Sequence, residues 1–208
     1  MRTAHIIQVP DNASKTMTLR SLLLKRTISI LLLTTFIHAA EKSSSSSVVS
    51  NDILNACTEG NLEEIEAALV DHPDWVNGRS ESGETCLHVA GIKGQSQVSR
   101  LILKLGGDAN VRSTFSGGLR MHPLSWNVYG GHVENARVLL EVGQANVNSD
   151  YDDSKGLPIT VMDTILEIVP DDSKRDDPAM ERFHQMKELL LRHGAMRYKD
   201  LQVGNKEL

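Results

Sequence analysis

At 208 residues the chain is long enough for one domain with extensions. Its formal charge is −5, and aromatic residues make up only 4% of it. The first 40 residues hold five of the 22 basic residues and one of the 27 acidic ones, which leaves 17 bases against 26 acids in the rest. An acidic body without a basic stripe argues against nucleic acid as a partner, because neutralising phosphates takes clustered Lys and Arg.

The N-terminal region reads as an address. Residues 27–40 are uncharged and mostly apolar, with Arg26 before them and Glu41 after. As a helix they would span about 21 Å, short of the ~30 Å hydrocarbon core of a bilayer. That length suits the apolar part of a signal peptide behind a basic stretch, and residues 1–40 are assigned to it. Met17 is a candidate start. Ala39 or Ala40 supplies the small residue before a cut, but Ile37 or His38 then fills the other small position. An uncleaved short membrane anchor, a transit peptide and a mis-assigned start on a cytosolic protein remain the alternatives. The last residues, Asn205-Lys206-Glu207-Leu208, share their final Glu-Leu with retrieval tails. Together with a signal peptide they point to the secretory pathway and the endoplasmic-reticulum lumen; the alternative location is the cytoplasm.

Residues 41–50 carry the serine run Ser43–Ser47 and read as a linker. Helix patterns follow. Asn51 or Asp52 caps a first helix with Ile53, Ala56 and Cys57 inward and Gly60 at its end. Leu62, Ile65, Ala68 and Leu69 form the stripe of a second. The stretch Gly83-Glu84-Thr85-Cys86-Leu87-His88-Val89-Ala90, with Gly94 after it, opens the next pair. A third pair starts at His122-Pro123-Leu124, behind an inserted loop Phe115-Ser116-Gly117-Gly118. It continues through Gly131 to Ala136-Arg137-Val138-Leu139-Leu140. Asn127 stands there at an interior position, which predicts looser packing. In the fourth, Gly156-Leu157-Pro158-Ile159 starts a helix that runs to about Ile168. Asp177-Pro178 caps the last helix, lined by Phe183, Met186, Leu189 and Leu190 and closed by Gly194; the tail from Tyr198 is polar and frayed.

The pattern repeats. Gly60 to Gly94 is 34 residues, Asn77 to Asn110 is 33, and Gly94 to Gly131 and Gly106 to Gly143 are both 37. A period near 33 with a degenerate G-x-T-P-L-H-x-A opening resembles the ankyrin-repeat family. The likeness covers residues 51–196, is best over residues 83–110, and has Cys86 at the usual proline. It implies a mostly α solenoid of helix-turn-helix units with hairpin-like loops, about four in number, followed by a C-terminal tail at 197–208. It also implies structural roles for the motif: Thr85 caps its helix, and His88 bonds backbone across repeats. Cys57 and Cys86 are expected as separate buried thiols, because a bridge would join offset positions of neighbouring repeats, beyond the roughly 7 Å Cα limit.

By the same resemblance the function is protein–protein interaction on the concave face built from loop tips and first helices. Trp126, Tyr129, Val89 and Lys93 stand at the matching helix positions, and Arg79, Arg112, Phe115 and Arg120 in the loops. Trp, Tyr and Arg are the types that dominate interface energy. Packing of Trp126 on a neighbouring loop is the competing expectation. No nucleophile, metal or phosphate-binding motif occurs, so no catalytic residue, cofactor or metal is expected. Residues Asp150–Gly156 only imitate a calcium loop, since glycine falls at position seven and Val161 at twelve; a solvated hairpin is expected instead. A metal-binding protein or enzyme using the acidic insertions at 150–154 and 171–177 is the alternative function.

Overall fold

Helices start where a polar side chain satisfies free backbone N–H groups and stop where a left-handed residue turns the chain. The computed structural model describes residues 49–114, 119–170 and 177–204. Expectations for the signal segment, the serine linker, Phe115, residues 171–176 and the final four residues lie outside these. Among the described residues the chain is mostly α, with nine α-helices, one 3-10 helix and one two-stranded hairpin.

The first pair is α1, Asn51–Glu59, and α2, Leu62–Asp71, followed by a 3-10 turn at Pro73–Asn77. Ser50, not Asn51 or Asp52, caps α1: its backbone is still extended, and its Oγ accepts from the Asp52 N–H at 3.1 Å. Gly60 ends α1 at φ +83°. The second pair is α3, Cys86–Lys93, and α4, Ser96–Lys104; the third is α5, Pro123–Gly130, and α6, Val133–Glu141. The fourth is α7, Val161–Ile168, and α8, Glu181–Arg192. The chain then forms α9, Tyr198–Gly204.

Packing follows one rule. The first helices touch in series, α1 to α3 to α5 to α7, and the second helices do the same, α2 to α4 to α6 to α8. Each pair lays its apolar stripe between the two layers, giving one continuous core from Val49 to Ala195. Ile65, Ile102, Leu139 and Leu190 form its floor in successive second helices, and all are fully buried. Burying each such side chain contributes about 1.5–3 kcal/mol. Gly94 shows why the turn inside a pair is glycine. Its φ is +72°, and a Cβ there would sit 2.6 Å from the His132 ring of the next pair.

Four expectations are corrected. Cys57 and Cys86 form a disulfide with Cα atoms 5.6 Å apart; α3 packs directly on α1, and position within a helix did not convey how the two are staggered. The fourth pair starts its first helix at Val161, not at Gly156. Thr160 and Asp163 form a reciprocal cap there. Pro158-Ile159 instead pairs as strand β2 with β1, Tyr151–Asp152, in antiparallel register Tyr151↔Ile159. Asp153 closes that hairpin by accepting from Lys155 N and Leu157 N, both at 2.8 Å. Asp177 does not cap α8 directly but forms a turn before it, accepting from Ala179 N at 2.9 Å. The segment from Tyr198 is helical because Asp163 accepts from Tyr198 N at 2.8 Å and pairs with Arg197 at 2.9 Å.

Candidate interaction face

The start of the first helix in the second, third and fourth pairs carries two polar residues three apart. In α3 the Thr85 N–H donates to His88 Nδ1 at 3.1 Å. Since an N–H can only donate, Nδ1 is unprotonated and the ring proton is on Nε2. That Nε2–H donates to the Met121 carbonyl of the next unit at 3.2 Å. Burial drives the His88 pKa down to about 3, so the ring stays neutral. The third unit inverts the pair. His122 takes the cap position and Ser125 the position three later; the His122 Nε2–H donates to Ser149 O at 3.3 Å. Burial lowers His122 to about 4. The fourth uses Thr160 and Asp163. Burial alone would raise the Asp163 pKa, but bonds from Tyr198 N, Arg197 and Thr160 hold it below the ordinary carboxylate value.

The loops are clipped by asparagine. Asn77 accepts from Asp108 N at 2.8 Å and donates to Gly106 O at 3.0 Å. Asn110 accepts from Asn146 N at 2.7 Å. Asn148 accepts from Met196 N at 2.8 Å and donates to Gly194 O at 3.1 Å. The same residue type thus makes the same bridge to the following unit three times. A further set closes helix C-termini: Gln95 Nε2 donates to Thr58 O at 3.0 Å, and His132 Nε2 to Ile92 O at 3.0 Å. The second and third units thus each supply a donor that the preceding first helix lacks.

The residues singled out from the sequence fall into two groups. The loop arginines have partners inside the chain. Arg79 donates to Gly83 O at 2.9 Å and Arg112 O at 2.6 Å. Arg112 pairs with Asp150 at 2.8 Å. Arg120 holds both oxygens of Asp152, at 2.6 and 2.7 Å, and its hydrogen bond lowers the Asp152 pKa. These arginines order the loops and the hairpin. The helix residues are open to varying degrees. Lys93 is exposed, Tyr129 is 43% exposed, and Val89 and Trp126 are half-buried against the core. Trp126 does not stand free. Its Cβ lies against Gly91 of α3, and its indole N–H is shielded with no acceptor among the described residues.

Sequence reasoning missed two residues here, Ile92 and Tyr151. Ile92, 37% exposed on α3, joins Lys93 and Tyr129 on the first-helix layer; no aromatic or charge signal marked it. Tyr151 was read as loop, yet it is fully buried, with its hydroxyl on Thr164 and its ring edge against His122 at 5.7 Å. Burial pushes its pKa up. Asn127 is buried as expected of its position, and its Nδ2 donates to Pro123 O at 2.8 Å, while Oδ1 has no partner among the described residues. No group of three or more His, Cys, Asp or Glu suited to hold a metal occurs among the described residues. Compared with known proteins, the chain matches no family model and no curated protein.

Proposed function

We propose that this chain is an ankyrin-repeat interaction module: a solenoid of four helix pairs that binds a partner protein on its first-helix and loop face. The observation that carries the reading is the threefold asparagine bridge at Asn77, Asn110 and Asn148. It gives successive units one connection, as a repeat protein requires. The His88 and His122 bonds to the next unit support it from the helix starts. On this face the anchor is Tyr129, with Ile92, Lys93 and the exposed edge of Trp126 around it; the arginines act as supports. The partner is a protein, and the disulfide favours an oxidising compartment such as the secretory lumen over the cytoplasm.

The test is paired capture. Wild type and Tyr129→Ala are used as baits from secretory-lumen extracts, with melting temperatures measured beside them. A partner retained by wild type and weakened by about 2 kcal/mol in Tyr129→Ala, at unchanged melting temperature, supports the face. Partners that bind both baits equally would move the site off the first helices.

A further inference from the structure

The opposite layer of the stack carries an apolar row. One aliphatic side chain stands in solvent at the C-terminal end of each second helix: Val70 on α2, Leu105 after α4, Val142 after α6 and Leu191 on α8. Val70 is 80% exposed and Leu105 48%. Isolated exposed aliphatics are ordinary, but a contiguous patch on a protein surface marks a contact. Between the first two units the row borders a hollow of ≈ 270 Å³. Val70, Pro73 and Val76 form one wall, and Leu101 and Leu105 the other. Its two charged lining residues are of opposite sign, Glu66 on α2 and Lys104 on α4. Both are exposed, and neither has an ion-pair or hydrogen-bond partner among the described residues.

We propose that this patch is a self-association surface, and that its occupant is a second copy of the same chain. The patch is complementary to itself. A two-fold axis running down the hollow exchanges the α2 and α4 sides. Glu66 of each copy then faces Lys104 of the other, and the projecting Val70 of each copy meets the apolar wall on the far side. Such an isologous contact uses one patch twice and closes at a dimer. A partner of single charge would leave one of the two rim charges unpaired on burial, at a cost. The surface is separate from the first-helix face, so association leaves that face open, and the proposal does not rest on the function assigned to it.

The test is sedimentation velocity on the full chain with a charge-exchange cycle. The wild type is expected to form dimers in the micromolar range. Glu66→Lys sets two positive charges against each other across the axis, and Lys104→Glu sets two negative ones together; each should weaken dimerisation at least tenfold. The double exchange, Glu66→Lys with Lys104→Glu, restores opposite charges and should return the dissociation constant to within about threefold of wild type. Val70→Ser should weaken it as well, with circular dichroism unchanged. A wild type that is monomeric at 100 µM overturns the proposal. So does association that the single exchanges leave unchanged, or that the double exchange fails to restore.

Discussion

His88 and His122 show what one residue can do in this fold. Each is buried and neutral, and each hands its Nε2 proton to a carbonyl of the following unit. Protonating either would place a charge in a buried site, which costs free energy; beside His122 the Asp150 carboxylate offsets only a minor part of it. Burial is the main cause of both depressions, to about 3 and about 4, against an unfolded value near 6.5. The unfolded chain therefore binds more protons as pH falls below about 6.5. The stability these residues confer is complete above that pH and drains away toward the folded values, at about 1.4 kcal/mol per pH unit for each histidine. Urea midpoints at pH 7, 6 and 5 should fall steeply, and His88→Asn should flatten the slope by about half. Equal midpoints at pH 7 and 5 would show that the two rings are not buried neutral. Asp152 and Asp163 do not confuse the reading, because their depressed values act below the ordinary carboxylate range, near pH 4. His88 was legible in the sequence because Thr85 stands three residues before it. His122 was not, because the pair is inverted and a histidine at the cap position carries no familiar signal.

Element by element, the sequence was clear wherever a glycine marked the end of a first helix and an apolar stripe followed. Gly60, Gly94 and Gly131 all have positive φ, and all three precede a second helix. It was silent where elements are set by long-range contacts. A hairpin is expected at 150–156, but as a solvated one; β1 and β2 span two residues a side, too short for the alternation that would mark Tyr151 as buried. Helix α9 depends on Asp163, 35 residues before Tyr198. The disulfide belongs to the same class, since it depends on the stagger of α3 on α1. Its consequence is large for a stack in which α1 touches only neighbouring elements. Closing a chain segment with a sequence separation of 29 restricts the unfolded state by roughly 3–4 kcal/mol. Replacing both cysteines, Cys57→Ser with Cys86→Ser, should lower unfolding free energy by about that much, and the reduced wild type should match the double variant. Hydrogen exchange should locate the loss in α1 and α2, with α5 to α8 protected as before. A reduced protein as stable as the oxidised one would leave the bridge without a role in the fold.

On the scale of the whole molecule, units connect to their neighbours through the core and through clips repeated along the loops, so an end unit has half the support of an inner one. The first unit offsets this in part with the disulfide and in part with the two residues before its helix. Val49 is buried, and its N–H donates to Arg79 O at 3.0 Å. Arg79 in turn donates to Gly83 O and Arg112 O, so Val49, two residues before the helix, ties into the first two loops. Ser50 caps α1. Periodicity alone places the first helix at Asn51 and reads the preceding residues as linker, because a buried valine beside a serine run leaves no period to detect. The difference is measurable. A chain from 49 to 208 keeps Val49 and Ser50, whereas one from 51 to 208 lacks both. Burial of a valine contributes about 1.5–3 kcal/mol, and a serine cap about 1 kcal/mol. The longer form should be more stable by about 2.5–4 kcal/mol in urea, with the difference seen first as exchange in α1. Equal stabilities would mean that the folded unit begins at Asn51 and that the contact of Val49 with Arg79 contributes nothing.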